Sequence, residues 1–330
     1  MPASTQIHLL NPFANAAGGS EWRALKLYDL LSPHAEVNLW TEDTPAEGLA
    51  AQYPIRRISM EAGAFPKGGT IVFVGCFRPP GPWVRLAKAD RTIALHNTVL
   101  PTPLIRMLLA ISALGAPIEM VYASKWLRDS IGHPGPVQVS PIDLDTFAPP
   151  SARVGSDGSF SVGRLSRDSK VKHFTGDAWL YRGLARSGAR VRLMGAMSLR
   201  EHMAAEPGIE LLPECAEPAH SFLQGLDCFY YRTSDRWVEP SGRVVMEAMA
   251  TGLPVVAHRN GGYAEWITHG RDGFLFDTQQ QAFELLAALR KDPALRAAIG
   301  KQARASMERT YSDEAMRELR DFYLSATAPA

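Results

Sequence analysis

The sequence predicts an α/β protein built from two doubly wound parallel sheets, one in each half of the chain. Short apolar runs alternate with amphipathic stretches, and the alternation runs through twice, on either side of a Pro/Gly-rich break. Strand and helix in strict turn are the mark of βαβ units, whose crossover helices cover both faces of a parallel sheet. Size agrees, because 330 residues, 46% of them hydrophobic, suit two cores better than one.

In the first half, apolar runs predict strands at 7–10, 37–40, 70–74, 92–95, 120–123 and 137–139. The second half repeats the pattern at 159–162, 190–194, 209–212, 228–231, 254–257 and 273–276. Between them the apolar period lengthens to that of helices, most clearly at 20–31, 175–186, 280–291 and 294–308. Ser140-Pro-Ile-Asp-Leu-Asp-Thr-Phe-Ala-Pro-Pro150, followed by Gly155, Asp157 and Gly158, breaks both periods. It divides the chain into domains at 1–150 and from 151 onward.

Composition narrows the function. A formal net charge of +1 gives no general pull toward nucleic acid. Cys76, Cys215 and Cys228 form neither a C-x-x-C pair nor an even-numbered framework, so they read as reduced core thiols, which suits the cytoplasm. Residues 1–10 hold no basic stretch leading into a long apolar one, and no run of about 20 apolar residues exists to span a bilayer.

The most informative stretch is Glu239-Pro-Ser-Gly-Arg-Val-Val-Met-Glu247-Ala-Met-Ala-Thr-Gly-Leu-Pro-Val-Val-Ala-His258. Eight residues along one helix would leave the two carboxylates ~80° apart. Pro240, Ser241 and Gly242 instead predict a helix start, with Ser241 as cap and Gly242 giving close approach. Glu239 then lies just outside the helix and Glu247 on its second turn. The plainer alternative is a surface helix on which Arg243 pairs with Glu239 or Glu247.

Three other segments suit an anionic, sugar-bearing ligand. Val162-Gly-Arg-Leu-Ser-Arg-Asp-Ser-Lys-Val-Lys-His-Phe174 gathers cations at a strand end, where they would stabilise a departing diphosphate. Asn11-Pro-Phe-Ala-Asn-Ala-Ala-Gly-Gly-Ser-Glu21 puts Gly18 and Gly19 before a helix, where backbone N–H groups can face an anion. His96 closes a buried-strand pattern at the end that faces the ligand in open α/β sheets. Each has a simpler reading: a solvated basic loop, a turn and a structural histidine.

Taken together, these residues resemble the retaining glycosyltransferases of family 4, enzymes of GT-B fold with an E-x7-E signature before an A-x-G-x-P-V-V-A-like strand. The resemblance is strongest over 160–276. It implies transfer of a sugar from a nucleotide donor, UDP- or GDP-linked, to an acceptor hydroxyl of a glycan, polysaccharide or lipid-linked sugar. By this likeness Glu239 touches the sugar and Glu247 the ribose hydroxyls. Arg164 matches the family's arginine and Lys172 its lysine, with Lys170 the second candidate, since the glycine that follows the family's lysine is absent here. Gly18 and Gly19 match its N-terminal glycine loop, Gly242 lies between the two glutamates, and His96 corresponds to its active-site histidine. Gly261-Gly262-Tyr-Ala-Glu265 resembles its G-G-x-x-E turn, residues 140–150 its hinge, and 312–330 the final helix that crosses back to the acceptor-binding first domain. The donor-binding domain is then 151–311.

No cofactor or metal is implied. Asp143-Leu-Asp145 also reads as D-x-D, the metal–diphosphate motif of another glycosyltransferase fold, but it stands in a linker. The apolar stretch 103–114, with Arg78, Trp83, Arg85 and Lys88 nearby, fits either a peripheral membrane contact or a buried helix. Two other functions share the architecture: a nucleotide-sugar epimerase, and a nucleotide-sugar-binding protein without turnover.

Overall fold

The computed structural model describes residues 6–75, 77–115, 117–151, 160–203 and 206–325. Cys76, Gly155, Asp157 and Gly158 lie outside the described residues. The chain forms two compact units, Met1–Pro141 with Asp313–Ala330, and Ile142–Ser312.

The first unit holds β1 (Gln6–Leu10), β2 (Glu36–Thr41), β3 (Ile55–Arg57), β4 (Thr70–Val74), β5 (Arg91–His96) and β6 (Ile118–Tyr122) in the order β3-β2-β1-β4-β5-β6. The second holds β7 (Ser161–Leu165), β8 (Arg190–Met194), β9 (Ile209–Leu212), β10 (Cys228–Tyr231), β11 (Val255–His258) and β12 (Phe274–Phe276) in the order β12-β11-β10-β7-β8-β9. Every ladder is parallel. Numbered within its own unit, each sheet has the doubly wound order 3-2-1-4-5-6, which reverses direction between its first and fourth strands. The reversals fall between β1 and β4 and between β7 and β10. Ligands of such sheets bind beyond the carboxyl ends of these strands, where the two flanking loops diverge.

Burial follows the pleat. Ile7 and Leu9 of β1 pack on one face with Leu25, Leu31 and Tyr323, while Leu10 and Phe73 pack on the other with Trp83, Leu104 and Met107. Tyr323 belongs to the last helix, Asp313–Leu324, whose place in the first unit is fixed by polar bonds as well. Its Tyr323 hydroxyl donates to Gln138 Oε1 (2.7 Å), and Arg91 donates to the carbonyl of Phe322 (2.6 Å). In the second unit, Thr278 and Gln281 close a capping box at the helix Gln279–Lys291, and Asp292 caps the helix Pro293–Thr310 through the Leu295 amide.

The structure corrects the sequence reading in four places. The run 137–139 is a single bridge, Tyr122 to Val137, because Pro134 and Pro136 have no N–H with which to extend a ladder. Conversely, the three-residue edge strand β3 is too short and too charged to show a period. Cys215 is exposed on a left-handed turn (φ 58°), so only Cys228 of the two described cysteines is a core thiol. The units part after Pro141, ahead of the expected division at residue 150.

That last shift has a visible cause. Ile142 and Phe147 are buried, and Arg304 Nη1 donates to the carbonyls of Leu144 (3.0 Å), Phe147 (3.2 Å) and Ala250 (2.9 Å). One guanidinium thereby fastens the linker to the second unit. Replacing Arg304 by alanine leaves these half-buried carbonyls without their donor and should cost about 1–3 kcal/mol in urea unfolding. A loss within error of zero would show that the linker is held by its apolar residues alone.

Candidate functional site

In the second unit, the loop after β7 is shaped by close backbone approach. Gly195 has φ 71°, and a Cβ there would overlap the Ser166 carbonyl. Two residues on, the Asp168 carboxylate accepts the amides of Met197 and Ser198, both at 2.9 Å. Burial acts to raise the Asp168 pKa, but the bonds from Ser198 and Met197 outweigh it and hold the carboxyl below its ordinary range. The chain then makes a 3-10 turn, Lys170–Lys172.

Arg164, on β7, is 0% exposed. Its Nη2 donates to the carbonyl of Lys172 (2.5 Å) and its Nη1 to that of Arg232 (2.6 Å), and its guanidinium lies 5.3 Å from the Tyr231 ring centre. Its fork is committed to two carbonyls, and it ties the loop after β7 to the loop after β10 across the reversal point of the sheet.

The tie brings Lys172 to Glu239. The ammonium forms an ion pair with Glu239 Oε2, which also accepts from the Tyr231 hydroxyl (3.1 Å), while Trp237 presents its ring 5.7 Å from the lysine nitrogen. Burial pushes the Glu239 carboxyl up, yet the charge and hydrogen bond of Lys172 and the Tyr231 bond more than reverse this, so it stays ionised. Lys172 is 9% exposed, whereas Lys170 and Arg167 point outward. Of the two candidate lysines, Lys172 is the one placed against the first glutamate.

Glu247 lies on the helix Arg243–Ala250, whose cap is Gly242 in the left-handed region (φ 67°). Ser241 makes no capping bond, contrary to expectation. Gly242 is needed for space as well as for its conformation: a Cβ would stand 2.7 Å from Tyr263, whose ring meets that of Tyr231 edge-on at 5.2 Å. The Gly261–Gly262 turn closes on the same group, since the Gly262 amide donates to the Glu239 carbonyl (2.8 Å). Glu247 is 8% exposed and takes Arg243 Nε on Oε1 at 2.7 Å. The simple i, i+4 pair is thus present, but on a buried carboxylate. In both glutamates the second oxygen accepts no bond from a described residue.

Behind these groups lies a layer the sequence reading missed. Asp177, 0% exposed, accepts from the Tyr230 hydroxyl (2.9 Å) and Gln279 (3.3 Å) and lies 4.0 Å from Arg232, whose guanidinium stacks on Phe174 at 3.7 Å. Burial pushes its carboxyl up to about 6, against the pull of Arg232. His173 makes a 2.7 Å bond to the Gly195 carbonyl, which requires Nε2 to carry the proton. The available signals were weak: an acid in a first helical turn, and Tyr230-Tyr231-Arg232 at the polar end of an apolar run.

The reversal point of the first unit is built differently. Asn11, after β1, donates to Ser20 Oγ (2.9 Å) and the Val74 carbonyl (2.8 Å), and Asn97, after β5, donates to the same Ser20 oxygen (3.1 Å). Gly18 caps the helix Gly19–Leu31; a Cβ on Gly18 would overlap the Glu21 carboxylate, whereas Gly19 faces open space. His96 is 0% exposed beside Tyr122, and neither of its ring nitrogens has a hydrogen-bond partner among the described residues. In the linker, Asp143 accepts the amides of Asp145 (3.0 Å) and Thr146 (3.1 Å) and the Thr146 hydroxyl (2.8 Å), so the first acid of D-x-D organises a turn.

Residues 199–306 match the protein family described as "Glycosyl transferases group 1". Spore coat protein SA of Bacillus subtilis is 33% identical over 88 residues, covering 26% of this chain and 23% of that protein. A D-inositol 3-phosphate glycosyltransferase of Pseudarthrobacter chlorophenolicus is 42% identical over 81 residues, covering 22% of this chain and 19% of that one. The chain thus matches about a fifth to a quarter of the length of these relatives. Among solved structures, Anabaena HepE in complex with UDP-glucose has a TM-score of 0.76 at 18% identity, covering 98% of this chain and 100% of that one. WaaG, a glycosyltransferase involved in lipopolysaccharide biosynthesis, has a TM-score of 0.71 at 12% identity, covering 96% and 99%. The chain has the GT-B fold of these two structures.

Both buried histidines make stability depend on pH with a definite sign. Burial, helped at His173 by Arg164, lowers His173 to about 3, and burial alone lowers His96 to about 4. Both rings are neutral when folded but protonate near pH 6.5 when unfolded, so stability is lost as pH falls below 6.5. Asp177 has the opposite sign, gaining stability as pH falls through about 6. Comparing each variant with the parent isolates the histidines: His173→Gln and His96→Asn should each remove about 2 kcal/mol of the loss between pH 6.5 and 5. Unchanged slopes in chemical denaturation would mean the rings are protonated in the fold.

Proposed function

We propose that the chain transfers a hexosyl group from a UDP- or GDP-linked sugar to an acceptor hydroxyl, retaining the anomeric configuration and needing no metal. The observation that carries this reading is the ion pair of Lys172 with Glu239 at the reversal point of the second sheet, followed one helix start later by buried Glu247. Each glutamate is held by a cation through one oxygen and has a second for a ligand hydroxyl. Glu239 would take a hydroxyl of the donor sugar and Glu247 those of the ribose. As the bond from the anomeric carbon to the diphosphate breaks, Lys172 stands where charge develops. The acceptor oxygen forms the new bond on the same face, and its proton passes to the departing phosphate. Arg164 acts through Lys172 as a positioning residue. Gly242 and Lys170 belong to the rim of the donor site.

The donor is assigned to the second unit, and the acceptor, a glycan or lipid-linked sugar, to the first, where Gly18, Gly19 and His96 line the strand ends. The setting is the cytoplasm, with peripheral contact at the inner membrane face. Among the described residues no helix is long and apolar enough to cross a membrane. A screen of nucleotide sugars by thermal shift would identify the donor, because a ligand of the native state raises its apparent stability. Product analysis with and without acceptor separates transfer from epimerisation, which alters the free donor, and from binding without turnover.

Glu247→Ala should abolish most donor binding in calorimetry, since alanine replaces none of the charge-assisted bonds to the ribose. Lys172→Ala should lower kcat/KM by ~100-fold or more, the size expected for one preorganised donor of positive charge, while Lys170→Ala changes it by less than ~3-fold. Exchange of the two lysine results would reassign the phosphate contact to the exposed residue.

Activity should also survive thorough chelation. Loss in EDTA with recovery on adding manganese or magnesium would return Asp143 and Asp145 to the site.

A further inference from the structure

The helix Pro101–Ile111 is apolar on two sides, and only one of them is used by the fold. Leu104, Met107 and Ile111 enter the same core cluster as Val84 and Ala87 of the short helix Val84–Ala87, so the two helices lie on one face of the first sheet. Their outward sides carry Leu109 at 71% exposure, Ile105 at 58% and Leu86 at 55%, with Leu100 at 50% beside them. Of the eight exposed large hydrophobics among the described residues, five fall between Phe77 and Leu109. That concentration exceeds the scatter of single apolar residues expected on a soluble surface.

The same surface is basic. Arg85, Lys88 and Arg106 are exposed, and none has an ion-pair partner among the described residues. Arg78 is paired with Asp43 at 2.5 Å and Arg91 with Glu119 at 2.6 Å, so neither contributes a spare charge. The one carboxylate between residues 77 and 118, Asp90, accepts the Gly69 amide at 2.7 Å.

We propose that this face of the first unit docks on an anionic lipid bilayer, with Ile105, Leu109 and Leu86 entering the headgroup boundary and Arg85, Lys88 and Arg106 on the lipid phosphates. Charge decides the occupant. A symmetric pairing of two copies would set the three cations against their own equivalents, whereas an anionic surface complements all three at once. Leucine and isoleucine gain by leaving water at the interface, and cations around them gain from the negative surface potential. The proposal names the surface behind the membrane contact given above and rests on that part of the reading; nucleotide affinity, measured in parallel, shows separately whether the donor assignment holds.

The test is co-sedimentation of the full chain with vesicles of phosphatidylcholine alone or mixed with phosphatidylglycerol. The unmodified chain should bind only the mixed vesicles, and raising the salt from ~0.05 to ~0.5 M should release most of it by screening. Ile105→Ser with Leu109→Ser, and separately the Arg85→Glu, Lys88→Glu, Arg106→Glu triple variant, should each cut binding by ~10-fold or more with circular dichroism and nucleotide affinity unchanged. Absence of binding by the unmodified chain, equal binding to both vesicle types, or retained binding in either variant would overturn the proposal. So would a concentration-dependent dimer in size-exclusion chromatography that the double serine variant abolishes.

Discussion

The second unit of this protein depends on one buried guanidinium. Arg164 has no exposed surface and bonds two carbonyls from loops that leave the sheet on opposite sides of its reversal point. A buried charge is costly unless it is hydrogen-bonded, and here two of its three nitrogens donate to fixed, uncharged carbonyl oxygens. The consequence is positional. With the Lys172 and Arg232 carbonyls anchored, the Lys172 side chain has few directions left, and one of them leads to Glu239. Asp177 and Tyr231 complete the arrangement, the first beside Arg232 and the second between Arg164 and Glu239.

The two units solve the same geometric problem with different chemistry. Both sheets reverse between their first and fourth strands, and both must knit the loops that diverge there. The first unit does it with neutral groups, Asn11, Ser20 and Asn97, and has a buried, uncharged His96 at the end of β5. The second uses Arg164, Lys172, Arg232, Glu239 and Asp177. Fixed charge at a reversal point favours a charged ligand, and a neutral hydrogen-bonding cluster favours hydroxyls. This contrast supports placing the diphosphate in the second unit and the acceptor in the first.

How much was legible in the sequence follows from what each feature depends on. The twelve strands of the two sheets were nearly all visible, because parallel strands buried on both faces are continuous apolar runs; β3 escaped as a short charged edge, and 137–139 misled because prolines interrupt its ladder. Glu239, Glu247 and Lys172, the candidates for the donor site, were singled out from local motifs and the family resemblance they carry. The direction of a long side chain is another matter. Nothing in the order of residues around Arg164 says that its fork turns back to the carbonyl eight residues on instead of outward to a ligand. Asp177 and Tyr230, 53 positions apart, meet only because β10 lies beside β7. Such contacts belong to the topology, and local spacing does not encode them.

The ion pairs made by both glutamates do not oppose a binding role. Glu239 is 12% exposed in its side chain, so it would be strongly destabilising as an isolated charge and would tend to take up a proton. Lys172 keeps it in the form that accepts hydrogen bonds from hydroxyls. The cation costs the site little, since it engages one carboxylate oxygen and leaves the other. A surface pair at i, i+4 contributes a few tenths of a kcal/mol and can be lost without effect. Burial changes its meaning: the Glu247 side chain is 11% exposed and Arg243 holds it through Oε1 at 2.7 Å, which fixes the carboxylate in one place with Oε2 unbonded among the described residues.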